Sequence, residues 1–114
     1  MGIRTYSIEE VVTCLGLSRT ELHQWVSRKY FRPLHKPSRG RARKFTFEEI
    51  LYLGICCELR SISLPLDLAF SVAETAYEYK KDKCPRVIMD DAISLLIDVE
   101  KIENKIRERL SPCQ

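Results

Sequence analysis

Nothing in this sequence runs apolar for the length of a membrane span: its longest such stretch, ILYLGICC at residues 50–57, stops after eight residues, where a bilayer helix needs about twenty. The opening MGIRTYSIEE meets two acids before any apolar stretch, unlike a secretory signal. There is no C-x-x-C and no Cys/His pair at zinc-ligand spacing. The five cysteines (Cys14, Cys56, Cys57, Cys84, Cys113) are odd in number, so reduced thiols are expected rather than a disulfide framework or a structural zinc site. Glycine is scarce, and no Gly-rich phosphate loop follows a strand pattern. No nucleophile has a local base, and the one adjacent carboxylate pair, Asp90–Asp91, reads as the first turn of a helix. Neither an enzyme nor a cofactor or metal site is expected; the expectation is a cytoplasmic protein with no membrane partner.

Acid is also scarce in one quarter of the chain. Residues 19–44 carry nine Lys/Arg against the single acid Glu21, a surplus of eight, while the rest holds ten against fifteen. A net charge of +3 thus conceals a strongly basic segment on an otherwise acidic protein, the pattern of a local polyanion site. Its densest part, HKPSRGRARKF at 35–45, has too little to bury and too much Pro and Gly to form a helix interior.

With 114 residues and 45% apolar side chains, the chain has enough for one small domain and an appended element. Three capping boxes set helix starts: SIEE (Ser7, Glu10), SRTE (Ser18, Glu21) and TFEE (Thr46, Glu49). The first helix is expected over 8–15, with Ile8, Val11, Val12 and Leu15 on one face. Gly16 suits a left-handed helix end, and Ser18 starts the next helix at once, giving a helix-turn-helix. The second helix, 19–29, buries Leu22, Trp25, Val26 and Tyr30. It turns Arg19, Thr20, His23, Gln24, Ser27 and Arg28 outward, a polar, acid-poor face suited to a major groove; an ordinary solvated face would mix charge signs. After Pro33, two short extended segments around KPSRGRA read as a wing, with Phe31, Leu34 and Phe45 at its base and Gly40 at its tip. Arg28, Lys36, Arg39, Arg41 and Arg43 would neutralise phosphates, and His35 is a phosphate contact or a bystander. A flexible solubilising loop is the alternative.

A third helix is expected over 47–60 and a fourth after SISLP, with Ser63 as its cap and Pro65 in its first turn. A polar linker, 77–86, leads to a last helix, 87–110. There Ile88, Ala92, Leu95, Val99, Ile102 and Ile106 are spaced as a heptad seam, and Asp90 and Asp91 sit in the first turn. That seam predicts a coiled-coil homodimer, while Ile93, Leu96 and Ile97 widen the face enough for packing on the head or in a bundle. The domain division that follows is a head at 1–76, the linker, and a dimerisation helix with tail at 87–114.

YSIEEVVTCLGLSRTELHQWVSRKYFRP, the basic wing, RARKFTFEEILYL and LRSISLPLDLAFSVAE together resemble the DNA-binding domain of the MerR family, over roughly residues 5–75. Trp25 falls at that family's packing aromatic, Pro33 at its proline, and Arg43 with Phe45 at the wing end. The resemblance implies a mainly α protein: a winged helix-turn-helix head with a small two-stranded wing, on a helix that pairs antiparallel with its twin. It also implies a transcription regulator, bacterial or phage-encoded and nucleoid-associated, that binds operator DNA as a homodimer. The sequence departs from the pattern at His23 and Gln24, where relatives usually carry an Arg and an aromatic, and at Ala42, where they carry Tyr. Its last helix is short and no effector-binding domain follows. A phage-type excision factor would use the same head. In length and order the chain also resembles CbpM-type chaperone modulators, which bind a protein partner instead. Cys84 and Cys113 flank the expected last helix, so an antiparallel pair would bring them together as a thiol sensor; two incidental thiols explain them equally.

Overall fold

The structure, a computed structural model, describes residues 5–27 and 44–110, less the side chains of Val26 and Ser27. Its elements in chain order are β1 (Thr5–Tyr6), α1 (Ile8–Leu15), α2 (Arg19–Ser27), β2 (Phe45–Thr46), α3 (Phe47–Ser61), α4 (Leu66–Glu78), a 3-10 turn (Lys80–Asp82), β3 (Arg86–Ile88), β4 (Ser94–Leu96) and α5 (Val99–Leu110). It is mainly helical, with two small antiparallel sheets, β1–β2 and β3–β4, among the described residues.

All three capping boxes form. The Ser7, Ser18 and Thr46 hydroxyls accept from the amides of Glu10 (3.2 Å), Glu21 (3.0 Å) and Glu49 (3.2 Å). Each carboxylate accepts in return from its cap amide, at 2.9, 3.2 and 2.9 Å. These bonds satisfy donors that a helix start otherwise leaves open, so short helices begin at fixed residues. Gly16 closes α1 in the left-handed region (φ 72°), its amide donating to the Val12 carbonyl at 2.9 Å. A side chain there would be strained. β1 pairs with β2 through Tyr6↔Phe45 and Thr5↔Thr46, tying the chain's start to the entry of α3, with Phe45 fully buried.

α3 is the central helix. Ile50, Leu53, Ile55 and Cys56 are completely enclosed, with α4 packed along one side and α5 and α1 on others. Ser63 does not cap α4. It ends α3 instead, at φ 72°, while the amide of Leu64 donates to the carbonyl of Leu59 (3.3 Å). Pro65 then precedes α4 with no side-chain cap, because Ser63 is committed to the preceding helix end. α4 continues to Glu78, so the expected linker is partly helix. Glu48 braces this junction by accepting from the Tyr77 hydroxyl (2.9 Å) and from Lys80. Burial raises the Glu48 pKa, but these two donors more than offset it and hold the carboxyl below its usual range.

The single helix expected over 87–110 is not formed. Residues 86–96 make a hairpin with Val87 opposite Leu95, and α5 starts only at Val99. Asp90 decides the matter: its Oδ1 accepts from the amides of Ala92 (2.7 Å) and Ile93 (2.8 Å), a side-chain turn that competes directly with helix initiation. Asp98 is the working helix start, accepting from the Lys101 amide at 2.9 Å. The seam residues therefore do not share one helical face. Ile88 lies on β3, Ala92 in the turn and Leu95 on β4. Val99, Ile102 and Ile106 are buried in the chain's own core with Leu110. Their stripe meets α3 at Gly54, where a Cβ would stand 2.6 Å from Ile106 Cδ1; glycine allows this close crossing. At the far end of α5, Arg109 donates to the Cys14 carbonyl at 3.0 Å, gripping the end of α1.

Candidate nucleic-acid interface

α2 owes its orientation to two inward side chains. Leu22 and Trp25 are buried, and the Trp25 ring meets Phe70 of α4 edge-on, with centroids 5.3 Å apart and planes at 80°, a favoured aromatic geometry. Phe70 stands beside Tyr52 of α3 (5.9 Å), and Tyr52 beside Tyr77 (6.1 Å). An aromatic chain thus fixes α2 to the central helices. With Leu22 and Trp25 inward, Arg19, Thr20, His23 and Gln24 are all exposed on the opposite side, the face read from the sequence.

Arg19 has a partner that helical periodicity did not disclose. Its Nη1 lies 2.5 Å from Glu9 Oε1 on α1, both side chains well exposed. A hydrogen bond from its own backbone amide and then the Arg19 guanidinium hold Glu9 below the usual carboxylate range. Glu9 stands in the first turn of α1, where its charge also suits the helix dipole, so the sequence offered a local explanation that hid the cross-helix one.

Arg28, Lys36, Arg39, Arg41 and Arg43, with Phe31, Pro33 and Leu34, fall outside the described residues. Lys44, at the end of the basic segment, is exposed and immediately precedes buried Phe45. Phe45 pairs with Tyr6 of β1, so the far end of the basic segment is pinned to the start of the helix-turn-helix.

Of the thiols, Cys14 and Cys56 are buried, Cys57 is half-buried and Cys84 exposed. Burial raises Cys14 and pushes Cys56 and Cys57 up to about 12, which leaves them as inert packing groups. Cys84 precedes a strand rather than a helix, and Cys113 falls outside the described residues. No cluster of His, Cys, Asp or Glu able to hold a metal ion occurs among the described residues. None of their helices is long and apolar enough to cross a membrane.

Compared with known families, residues 6–69 match the MerR HTH family regulatory protein. No curated protein matches the chain.

Proposed function

We propose that this chain, which belongs to the MerR helix-turn-helix family of regulatory proteins, is a sequence-specific DNA-binding transcription regulator that acts as a homodimer. The observation that carries this reading is the outward row Arg19, Thr20, His23 and Gln24 on a helix anchored by Leu22 and Trp25, leading directly into the basic segment. In this reading that row enters a major groove, where Arg, Gln and Thr reach base edges or phosphates. Arg28, Lys36, Arg39, Arg41 and Arg43 neutralise phosphates; five such contacts per protomer give a salt slope of about −4.5 in log–log terms.

The test is selection from a random duplex library at physiological salt. A pseudo-palindrome supports a two-fold dimer and reports its half-site spacing. Tandem direct repeats support a head-to-tail architectural protein of the excision-factor kind. If no sequence is enriched, the reading fails in favour of a protein-interaction adaptor.

The Arg19–Glu9 pair supplies a sharper check. Glu9 holds the guanidinium in the free protein and places a negative charge beside the approaching phosphates. Glu9→Gln is expected to tighten binding to a selected site about two- to fivefold at low salt, the range of an exposed ion pair, with the gain shrinking as salt rises. Titration by fluorescence anisotropy reads this. Equal affinities for variant and parent would show that Arg19 takes no part in binding.

A further inference from the structure

The β3–β4 hairpin turns an apolar face outward beside a groove. Val87 and Leu95 face the core, while Ile88 and Leu96 on the other face are 75% and 66% exposed. Leu96 and the exposed Ile62 also line an open groove of about 290 Å³, floored by Ile55 and Leu59, between the end of α3 and the start of α5. Three of the six large apolar side chains exposed among the described residues are gathered here, a concentration rather than ordinary scatter. Backbone groups stand open at the same place. The Ile97 amide donates to the Pro85 carbonyl (3.0 Å) and the Met89 amide to the Ile93 carbonyl (2.8 Å). By the alternation of an antiparallel ladder, Ser94 and Leu96 therefore direct their N–H and C=O groups away from β3. β3 packs on α4, which leaves β4 as the outer edge, a template for a further strand.

The charges around this edge differ in what they are free to do. Glu58 is paired with Lys105 at 3.5 Å, Asp98 accepts from the Lys101 amide at 2.9 Å as the start of α5, and Glu100 is paired with Lys83 at 3.3 Å. Lys101 lines the groove, and its ammonium enters no ion pair among the described residues. Arg86, the cross-strand neighbour of Leu96, is exposed and enters none there either. Asp90 and Asp91 lie in the turn at the opposite end of the hairpin. At the end that adjoins the groove the acids are engaged, and two cations beside the apolar surface are not.

We infer that β4 takes up an extended, acidic segment of a partner protein by strand addition. Each part of the surface specifies one property of that segment. The outward N–H and C=O groups of Ser94 and Leu96 require a strand, since only an extended backbone meets both in register. The groove between Leu96 and Ile62 takes an aliphatic side chain. Side chains two residues apart on a strand share a face, so a carboxylate two positions from the aliphatic one comes to Lys101, within the field of Arg86. The motif recognised is therefore an apolar residue and an acid separated by one residue. The inference stands apart from the DNA-binding reading, which uses α2 and the basic segment.

Fluorescence anisotropy of the labelled peptide Thr-Glu-Thr-Leu-Thr-Glu-Thr with the full chain tests this, against Thr-Lys-Thr-Leu-Thr-Lys-Thr. The symmetric sequence offers an acid two residues from Leu in either strand direction. Wild-type protein should bind the Glu peptide about fivefold more tightly than the Lys peptide at low salt, the range of one or two exposed ion pairs, with the difference shrinking as salt rises. Lys101→Glu, a change that the first turn of α5 tolerates because acids suit that end of the helix dipole, should reverse the preference. Leu96→Thr keeps a strand-forming residue and should weaken the Glu peptide about tenfold, with melting temperature unchanged and Leu68→Thr, at an exposed α4 site, without effect. Failure of both peptides to bind, equal binding of the two, or indifference to Leu96→Thr overturns the inference. Sedimentation velocity adds one more arm: a wild-type dimer that comes apart in Leu96→Thr assigns the edge to a second copy and overturns it as well.

Discussion

A chain ended after Asp98 is expected to lose its cooperative fold. Val99, Ile102, Ile106 and Leu110 are all buried against the rest of the molecule. At about 1.5–3 kcal/mol for each fully buried aliphatic side chain, their loss removes roughly 6–12 kcal/mol, before discounting for residual burial in the unfolded chain. A small domain holds only about 5–15 kcal/mol in total. The deletion also uncovers Gly54, which leaves a slot in α3 where Ile106 packs, and removes the Arg109 bond to the Cys14 carbonyl that steadies the end of α1. Circular dichroism against temperature distinguishes the cases: the truncated chain should show a shallow, non-cooperative loss of signal where the full chain melts in one step. A sharp transition in the truncated chain would establish that residues 1–98 fold without α5, as a head independent of the last helix requires.

That division came from reading apolar spacing without knowing its partner. A seam at Val99, Ile102 and Ile106 has the same period whether it faces a second chain or α3, and only tertiary structure chooses. The hairpin was hidden for a related reason. Asp90 and Asp91 are equally good as a helix first turn and as a side-chain turn, and the outcome rests on whether the Asp90 carboxylate captures the amides of Ala92 and Ile93. By contrast, the head was legible because its signals are local. Each of the three capping boxes needs residues only three apart, and Gly16 needs only its own φ. The outward face of α2 followed from placing Leu22 and Trp25 inward. The Arg19–Glu9 pair did not, since it joins residues ten apart on different helices, a distance no single-helix period reports.

Trp25→Ala is expected to be the most damaging single substitution on α2. Removing a large buried aromatic costs about 3–5 kcal/mol, and here the loss falls on the one contact that locks α2 edge-on to Phe70. A fall in Tm of at least ~10 °C should follow for a domain of this size. Trp25→Phe keeps an aromatic ring near Phe70 and should lose substantially less. The consequence for DNA is separable from the consequence for stability. Below the melting transition of Trp25→Ala, the folded molecules still carry Arg19, Thr20, His23 and Gln24, but α2 is free to rock about Leu22. Contacts to base edges demand tighter placement than contacts to phosphates, so the ratio of specific to non-specific affinity should fall while non-specific binding persists. Competition titrations with a selected site and an unrelated duplex, run on fully folded protein, measure that ratio. If it is unchanged while Tm drops, Trp25 only stabilises the fold, and the aim of α2 is set by its junction with α1 at Gly16 and Ser18.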